Sequence, residues 1–71
     1  MLRSFELIKI IKSLSVQDPV IPYNVILGKS FISYEFELKG YLKNLQDLGW
    51  ISDDPDSGLV QLTDFGQRLF N

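Results

Sequence analysis

The chain has no cysteine and no histidine. Without cysteine there is neither a disulfide nor a thiolate ligand. Without histidine the commonest metal ligand, and the side chain that titrates nearest neutral pH, is missing. A zinc centre would have to be built from carboxylates alone, against that ion's preference for nitrogen and sulfur. Long apolar runs are missing too. None approaches the roughly 20 residues that cross a bilayer. The opening MLRSFELIKIIKSL breaks its apolar residues with charge, unlike a secretory leader. These absences predict a soluble, cytoplasmic protein with no metal, no cofactor and no membrane partner. Excess positive charge is also lacking. The net charge is −2, so the basic bias usual in nucleic-acid binding is absent.

What is present suits a single domain spanning residues 1–71. A chain this short buries only about 60% of its unfolded surface. Its hydrophobic fraction of 45% is enough for one core. The charge is unevenly spread. Residues 1–46 hold Arg3, Lys9, Lys12, Lys29, Lys39 and Lys43 against Glu6, Asp18, Glu35 and Glu37, whereas residues 47–64 hold Asp47, Asp53, Asp54, Asp56 and Asp64 with no base. One end is therefore mildly basic and the other plainly acidic.

Periodicity sets out the elements. Leu7, Ile10, Ile11 and Leu14, flanked by Leu2 and Ile8, predict an amphipathic helix over residues 2–14. Phe5 falls on its polar side, where it suits contact with a neighbouring loop or a second subunit. Asp18-Pro19 and Ile21-Pro22 force extended backbone, so Val20 and Ile21 can form a very short strand. PYNVILGK, residues 22–29, fits a short helix with Pro22 in its first turn and Gly28 near its end. Val25 and Ile26 are its expected buried residues. Ser33 is a candidate N-cap for a longer helix that Gly49 stops. Leu38, Tyr41, Leu42, Leu45 and Leu48, joined by Tyr34, form its apolar stripe, and Phe36, Lys39, Gly40, Lys43, Gln46 and Asp47 its opposite face. Trp50–Ser52 and Leu59–Leu62 read as two strands joined by DDPDSG, whose residues accept turn geometry. Thr63 then caps a last short helix in which Phe65, Leu69 and Phe70 can pack.

This order of elements resembles the winged helix-turn-helix superfamily. Residues 42–70, LKNLQDLGWIS…GLVQLTDFGQRLF, look like the end of the recognition helix and the wing of small MarR-like and PadR-like regulators. Leu48-Gly49-Trp50-Ile51 and Leu62-Thr63-Asp64-Phe65-Gly66 match the family's helix-stopping glycine, apolar strand and Leu-Thr-x-x-Gly segment. Residues 1–40 match only in the order of elements. The resemblance implies an α+β, mainly helical fold, with three helices, a two- or three-stranded β-wing and a short C-terminal helix. It also implies a DNA-binding transcription regulator whose recognition helix spans about residues 34–48. Tyr34, Phe36, Lys39, Lys43 and Asn44 would then reach DNA, along with Glu35 and Gln46, and Lys29 and Arg3 would lend support. A dimer suits two half-sites, with Phe5 and Phe70 as candidate anchors.

Charge favours a competing reading. Lys39 and Lys43 can instead be a solvated face paired with Glu35 and Asp47 at i,i+4. DNA presents one negative charge per about 1.7 Å of axis, and an acidic wing tip opposes it. A protein-interaction module or adaptor would use the same features differently. Asp53, Asp54 and Asp56 would meet a basic partner protein, and Phe36 would be an apolar contact, since aromatic residues are enriched at interfaces. Two other patterns fail on inspection. Gly28-Lys29-Ser30 lacks the earlier glycine of a phosphate-binding loop, because Tyr23 stands there. DDPDSG lacks the downstream bidentate Glu of a calcium loop. The chain's serines have no histidine to activate them, and Glu35 and Glu37 project from different faces of one helix. The expectation is not an enzyme.

Overall fold

The computed structural model describes residues 2–69, the Leu2 side chain excepted. Its elements are α1 (Leu2–Ser15), β1 (Ile21–Pro22), α2 (Tyr23–Lys29), α3 (Glu35–Asp47), β2 (Ile51–Asp54), β3 (Leu59–Leu62) and α4 (Asp64–Arg68). The class is α+β. Among the described residues, four helices surround one antiparallel three-stranded sheet in the order β1-β3-β2. Ile21 pairs with Val60, and Ile51 with Leu62.

The core is built from Leu7, Ile8 and Ile11 of α1, Ile21 of β1, Tyr23 and Ile26 of α2, Leu38, Leu42 and Leu45 of α3, and Ile51 and Val60 of the sheet. Ile32, between α2 and α3, completes it. The expected α1 stripe is rotated. Ile8 is fully buried, while Ile10 and Leu14 are only half-buried. The cause is that α1 meets α2, α3 and the sheet together, so its buried arc centres on Ser4, Ile8 and Ile11. In α2 the buried pair is Tyr23 and Ile26, and Val25 is exposed. Pro22 is the last residue of β1 and the N-cap of α2 rather than part of its first turn.

Ser33 does not cap α3. Tyr34 takes that place with no side-chain cap, and its carbonyl accepts the N–H groups of Glu37 and Leu38 at 3.1 Å each. Glu35 and Glu37 in the first turn offset the helix dipole there. The apolar stripe is narrower than expected, because Tyr41 is half-buried and Tyr34 and Leu48 are exposed. At the other end the Gly49 N–H donates to Gln46 O at 2.9 Å and the Trp50 N–H to Leu45 O at 3.0 Å. These two bonds form a Schellman motif, and it needs the left-handed Gly49, whose φ is 81°.

From that turn β2 runs as far as Asp54, past the expected Ser52. Asp54 then builds the hairpin turn. Its carbonyl accepts the Gly58 N–H at 2.8 Å and its carboxylate the Asp56 N–H at 3.2 Å. After β3, Thr63 ties the chain back to the turn that ended α3. Its N–H donates to Trp50 O at 3.1 Å, and its hydroxyl donates to Gly49 O at 2.6 Å while accepting the Gly66 N–H at 3.0 Å. Gly66 therefore sits on the Trp50 carbonyl. A β-carbon there would lie 2.0 Å from the Trp50 oxygen. Leu69 packs on the core, but Phe65 faces solvent. Lys12 reaches across from α1, its ammonium donating to Gln67 O at 2.7 Å.

Gly66→Ala is expected to cost about 1–3 kcal/mol, because backbone must move to admit one methyl group. Thr63→Val, which removes the cap at nearly constant volume, should cost about 0.5–2 kcal/mol. Thermal melts followed by circular dichroism should show the midpoint falling by about 4–8 °C per kcal/mol. A Gly66→Ala protein melting with the parent would show that the close approach to Trp50 is not a constraint.

Candidate functional site

The outward face of α3 is the strongest concentration of recognition chemistry. The leucine stripe turns Leu38, Leu42 and Leu45 inward, and at about 100° per residue this leaves Phe36, Lys39, Gly40 and Lys43 on the far side. All four are exposed, as is Asn44. Phe36 is 73% exposed and Tyr34 60%. Their rings stack on one another with centroids 5.6 Å apart and planes 23° apart, which makes an apolar shelf at the start of the helix. Lys39 and Lys43 follow it, about 6 Å apart along the axis. The i,i+4 ion pairs expected with Glu35 and Asp47 do not form, and among the described residues neither lysine has an ion-pair partner.

Other side chains expected on this surface are engaged elsewhere. Gln46 is exposed, but its side-chain oxygen accepts the Asp53 N–H at 2.8 Å, so it braces the β2–β3 hairpin against α3. Arg3 lies over the Phe31 ring, 4.7 Å from its centroid. Phe31 in turn meets Tyr41 edge-on, with ring centroids 5.7 Å apart. Lys29 lines a groove with Lys9, Ile10 and Leu14 of α1, grouping it with the α1 surface. Phe5 lies 6.0 Å from the Trp50 ring, the neighbouring-loop contact. Phe70 is outside the described residues.

The hairpin's acidic residues have separate tasks. Asp53 is half-buried, and its carboxylate accepts the hydroxyl proton of Tyr23. Tyr23 is 4% exposed. Its N–H donates to Gly58 O at 2.9 Å, and its ring lies beneath the Gly58 backbone. One tyrosine thus fastens both arms of the hairpin to the start of α2. Burial, the hydrogen bond to Asp53, and the negative charges of Asp53, Asp54 and Glu35 push its phenol well above the ordinary 10.0. Asp54 and Asp56 are exposed at the tip. The Tyr23–Asp53 pair was not anticipated from sequence. Its one signal was that alternation puts Asp53 on the same side of β2 as the buried Ile51.

Among the described residues no group of three or more carboxylates is placed to hold a metal ion. None of their helices is long and apolar enough to cross a membrane. Comparison with family models, curated proteins and solved structures finds no match. The arrangement offers two cationic donors, an amide and an aromatic shelf on one helix that also exposes Glu35, Glu37 and Asp47, beside a hairpin with a negative tip. Such a surface can bind a polyanion along the helix or a partner at the shelf.

The Tyr23 site carries a pH signature. The folded state holds the phenolic proton more tightly than the unfolded chain does. The stabilisation is complete below the unfolded pKa of about 10 and is lost as pH rises from there towards the higher folded value. Urea titrations from pH 8 to 11.5 should therefore show stability falling above about pH 10. Tyr23→Phe should lower stability near neutral pH by about 0.5–1.5 kcal/mol and flatten that alkaline fall. An unchanged slope in the variant would remove Tyr23 as its source.

Proposed function

We propose that the chain is a winged helix-turn-helix domain that binds duplex DNA through α3, as a small transcription regulator does. The order α1-β1-α2-α3-β2-β3, with β3 between β1 and β2, supports the fold assignment. The observation that carries the function is the outward stripe of α3, where Lys39 and Lys43 stand free of ion pairs behind an exposed Phe36. A major groove admits one helix of this size. Lys39 and Lys43 would contact phosphate or guanine, Asn44 an adenine edge, and Phe36 a thymine methyl, with Tyr34 supporting Phe36 from the side. The hairpin takes little part. Asp53 is committed to Tyr23, and Asp54 and Asp56 hold the tip away from phosphate. One copy offers few phosphate contacts and binds weakly, so two half-sites about 34 Å apart would suit a pair of copies. Phe5, on the outer side of α1, is a candidate contact between them.

A second reading, a protein-interaction module, is favoured by the stacked Tyr34–Phe36 shelf and the exposed Asp54 and Asp56. Fluorescence anisotropy with mixed-sequence duplex DNA over a salt series separates the two. On the DNA reading, affinity falls steeply with salt, at a slope of about 0.9 per phosphate contact. Lys39→Glu with Lys43→Glu abolishes binding, and Asp54→Lys with Asp56→Lys strengthens it or leaves it unchanged. Duplex binding that survives the double lysine change would sink the α3 assignment. Absence of duplex binding in the parent, at low salt, would leave the interaction-module reading in its place.

A further inference from the structure

Ser4 is the one buried polar side chain among the described residues. It is 8% exposed, on the same arc of α1 as the fully buried Leu7, Ile8 and Ile11. Its hydroxyl has no hydrogen-bond partner among the described residues. Yet none of their buried side-chain oxygens lacks a partner. The Ser4 hydroxyl therefore touches solvent, and it does so where Ser4 lines a cleft between the start of α1 and the end of α3.

This cleft has a volume of about 440 Å³ and is walled by Ser4, Asn44, Asp47, Leu48 and Trp50. Its size is in the range of small-molecule sites. Leu48, which is exposed, and Trp50 form the apolar side. Trp50 is held on two counts. Its N–H donates to Leu45 O at 3.0 Å in the turn that ends α3, and the Phe5 ring lies 6.0 Å from its own. The polar side consists of the Ser4 hydroxyl, the Asn44 amide and the Asp47 carboxylate, and none of the three has a partner among the described residues. Asp47 is the charged residue of the wall. Two cations stand near it without lining the cleft. Arg3 is turned onto the Phe31 ring, and Lys43, one turn before Asp47, makes no ion pair with it.

We propose that this cleft binds a primary ammonium group carried on an apolar stem. An ammonium has three N–H donors and no acceptor. The cleft meets it with hydroxyl, amide and carboxylate oxygens, the last of which supplies the opposite charge, while the stem lies along Leu48 and Trp50. An anionic head would face Asp47 directly, and a neutral head would forgo the charge-assisted bond. The same head group occurs in a free amine and in a lysine side chain of a partner. The proposal stands apart from the DNA-binding reading, with Asn44 the residue common to both surfaces.

Trp50 is the chain's single tryptophan, so its fluorescence reports on the cleft directly. Titration with phenethylammonium at neutral pH should give a saturable change with a Kd on the order of 1 mM. Phenethyl alcohol and phenylacetate, which keep the ring and change the head, should bind at least about tenfold more weakly. Asp47→Asn should weaken phenethylammonium by about tenfold or more, and Ser4→Ala by about three- to tenfold. Glu37→Gln, which removes an exposed carboxylate of α3 outside the cleft, should change nothing. Circular dichroism melts should show each variant folded. Binding of N-acetyl-lysine methylamide as tight as that of phenethylammonium would assign the head group to a partner's lysine, and weaker binding would assign it to a free aromatic amine; either result supports the site. Equal binding of the alcohol or the carboxylate would overturn the proposal. So would an equal loss in Glu37→Gln and Asp47→Asn, an unchanged affinity in a folded Ser4→Ala, or no saturable response to phenethylammonium.

Discussion

The fold turns on the crowded carbonyl of Trp50. Four elements converge there: the end of α3, the start of β2, the end of β3 and the start of α4. The Schellman turn at Gly49 aims that carbonyl, the Thr63 N–H occupies it, and Gly66 lets α4 close over it. Thr63 adds a second bond to the Gly49 carbonyl. Hydrogen bonds of this kind are each worth about 1 kcal/mol net, so their value here is mainly geometric. They set the angle at which the hairpin leaves α3, and Gln46 reinforces that angle farther along by holding the Asp53 N–H. The outward face of α3 is consequently presented on a frame locked at its C-terminal end and supported from behind by Leu38, Leu42 and Leu45.

An acidic hairpin beside a helix with free lysines is less paradoxical once its carboxylates are separated. Asp53 faces inward and serves a buried phenol. Asp54 is a turn builder, accepting at both its carboxylate and its carbonyl. Asp64 sits in the first turn of α4, where a negative charge favours the dipole. Among the described residues, the carboxylates of Asp47 and Asp56 have neither a turn bond nor a buried partner to explain them. Structural tasks within the fold thus account for Asp53, Asp54 and Asp64 without any role at a ligand.

Local chemistry made much of this legible in advance. The expected helices and strands are present with their ends shifted by one or two residues. Gly49 and Thr63 act as their residue types suggest, one ending a helix and the other beginning one. The errors have tertiary causes. Val25 is the expected inward neighbour of Ile26, yet it lies about 200° around α2 from Tyr23, and α2 buries the Tyr23 side, where the ring lies under the Gly58 backbone. Ser33 is the better cap by composition, yet the chain stays extended through Tyr34, whose ring stacks on Phe36. Phe65 is apolar but faces outward, because Gly66 is the residue of α4 that must lie against the sheet. Gln46 looked available for a ligand because nothing in its neighbourhood in sequence reveals the strand seven residues later that takes its oxygen. Hydrophobic spacing reports which way a side chain faces, and it says nothing of a polar partner on another element.

The two rims of the sheet share a property with consequences for how copies of this chain can meet. On β1, the residue facing away from β3 is Pro22, because Ile21 and Tyr23 flank it and the Tyr23 N–H is turned toward Gly58. Proline has no hydrogen to donate. On β2, the outward donor at Asp53 is already consumed by Gln46. Unpaired rims are where strands of separate molecules ordinarily zip together. Here both are blunted, one by an imino acid and the other by an amide from a neighbouring helix. Growth by strand addition is thus discouraged at each end, and association between copies is left to the helical surfaces.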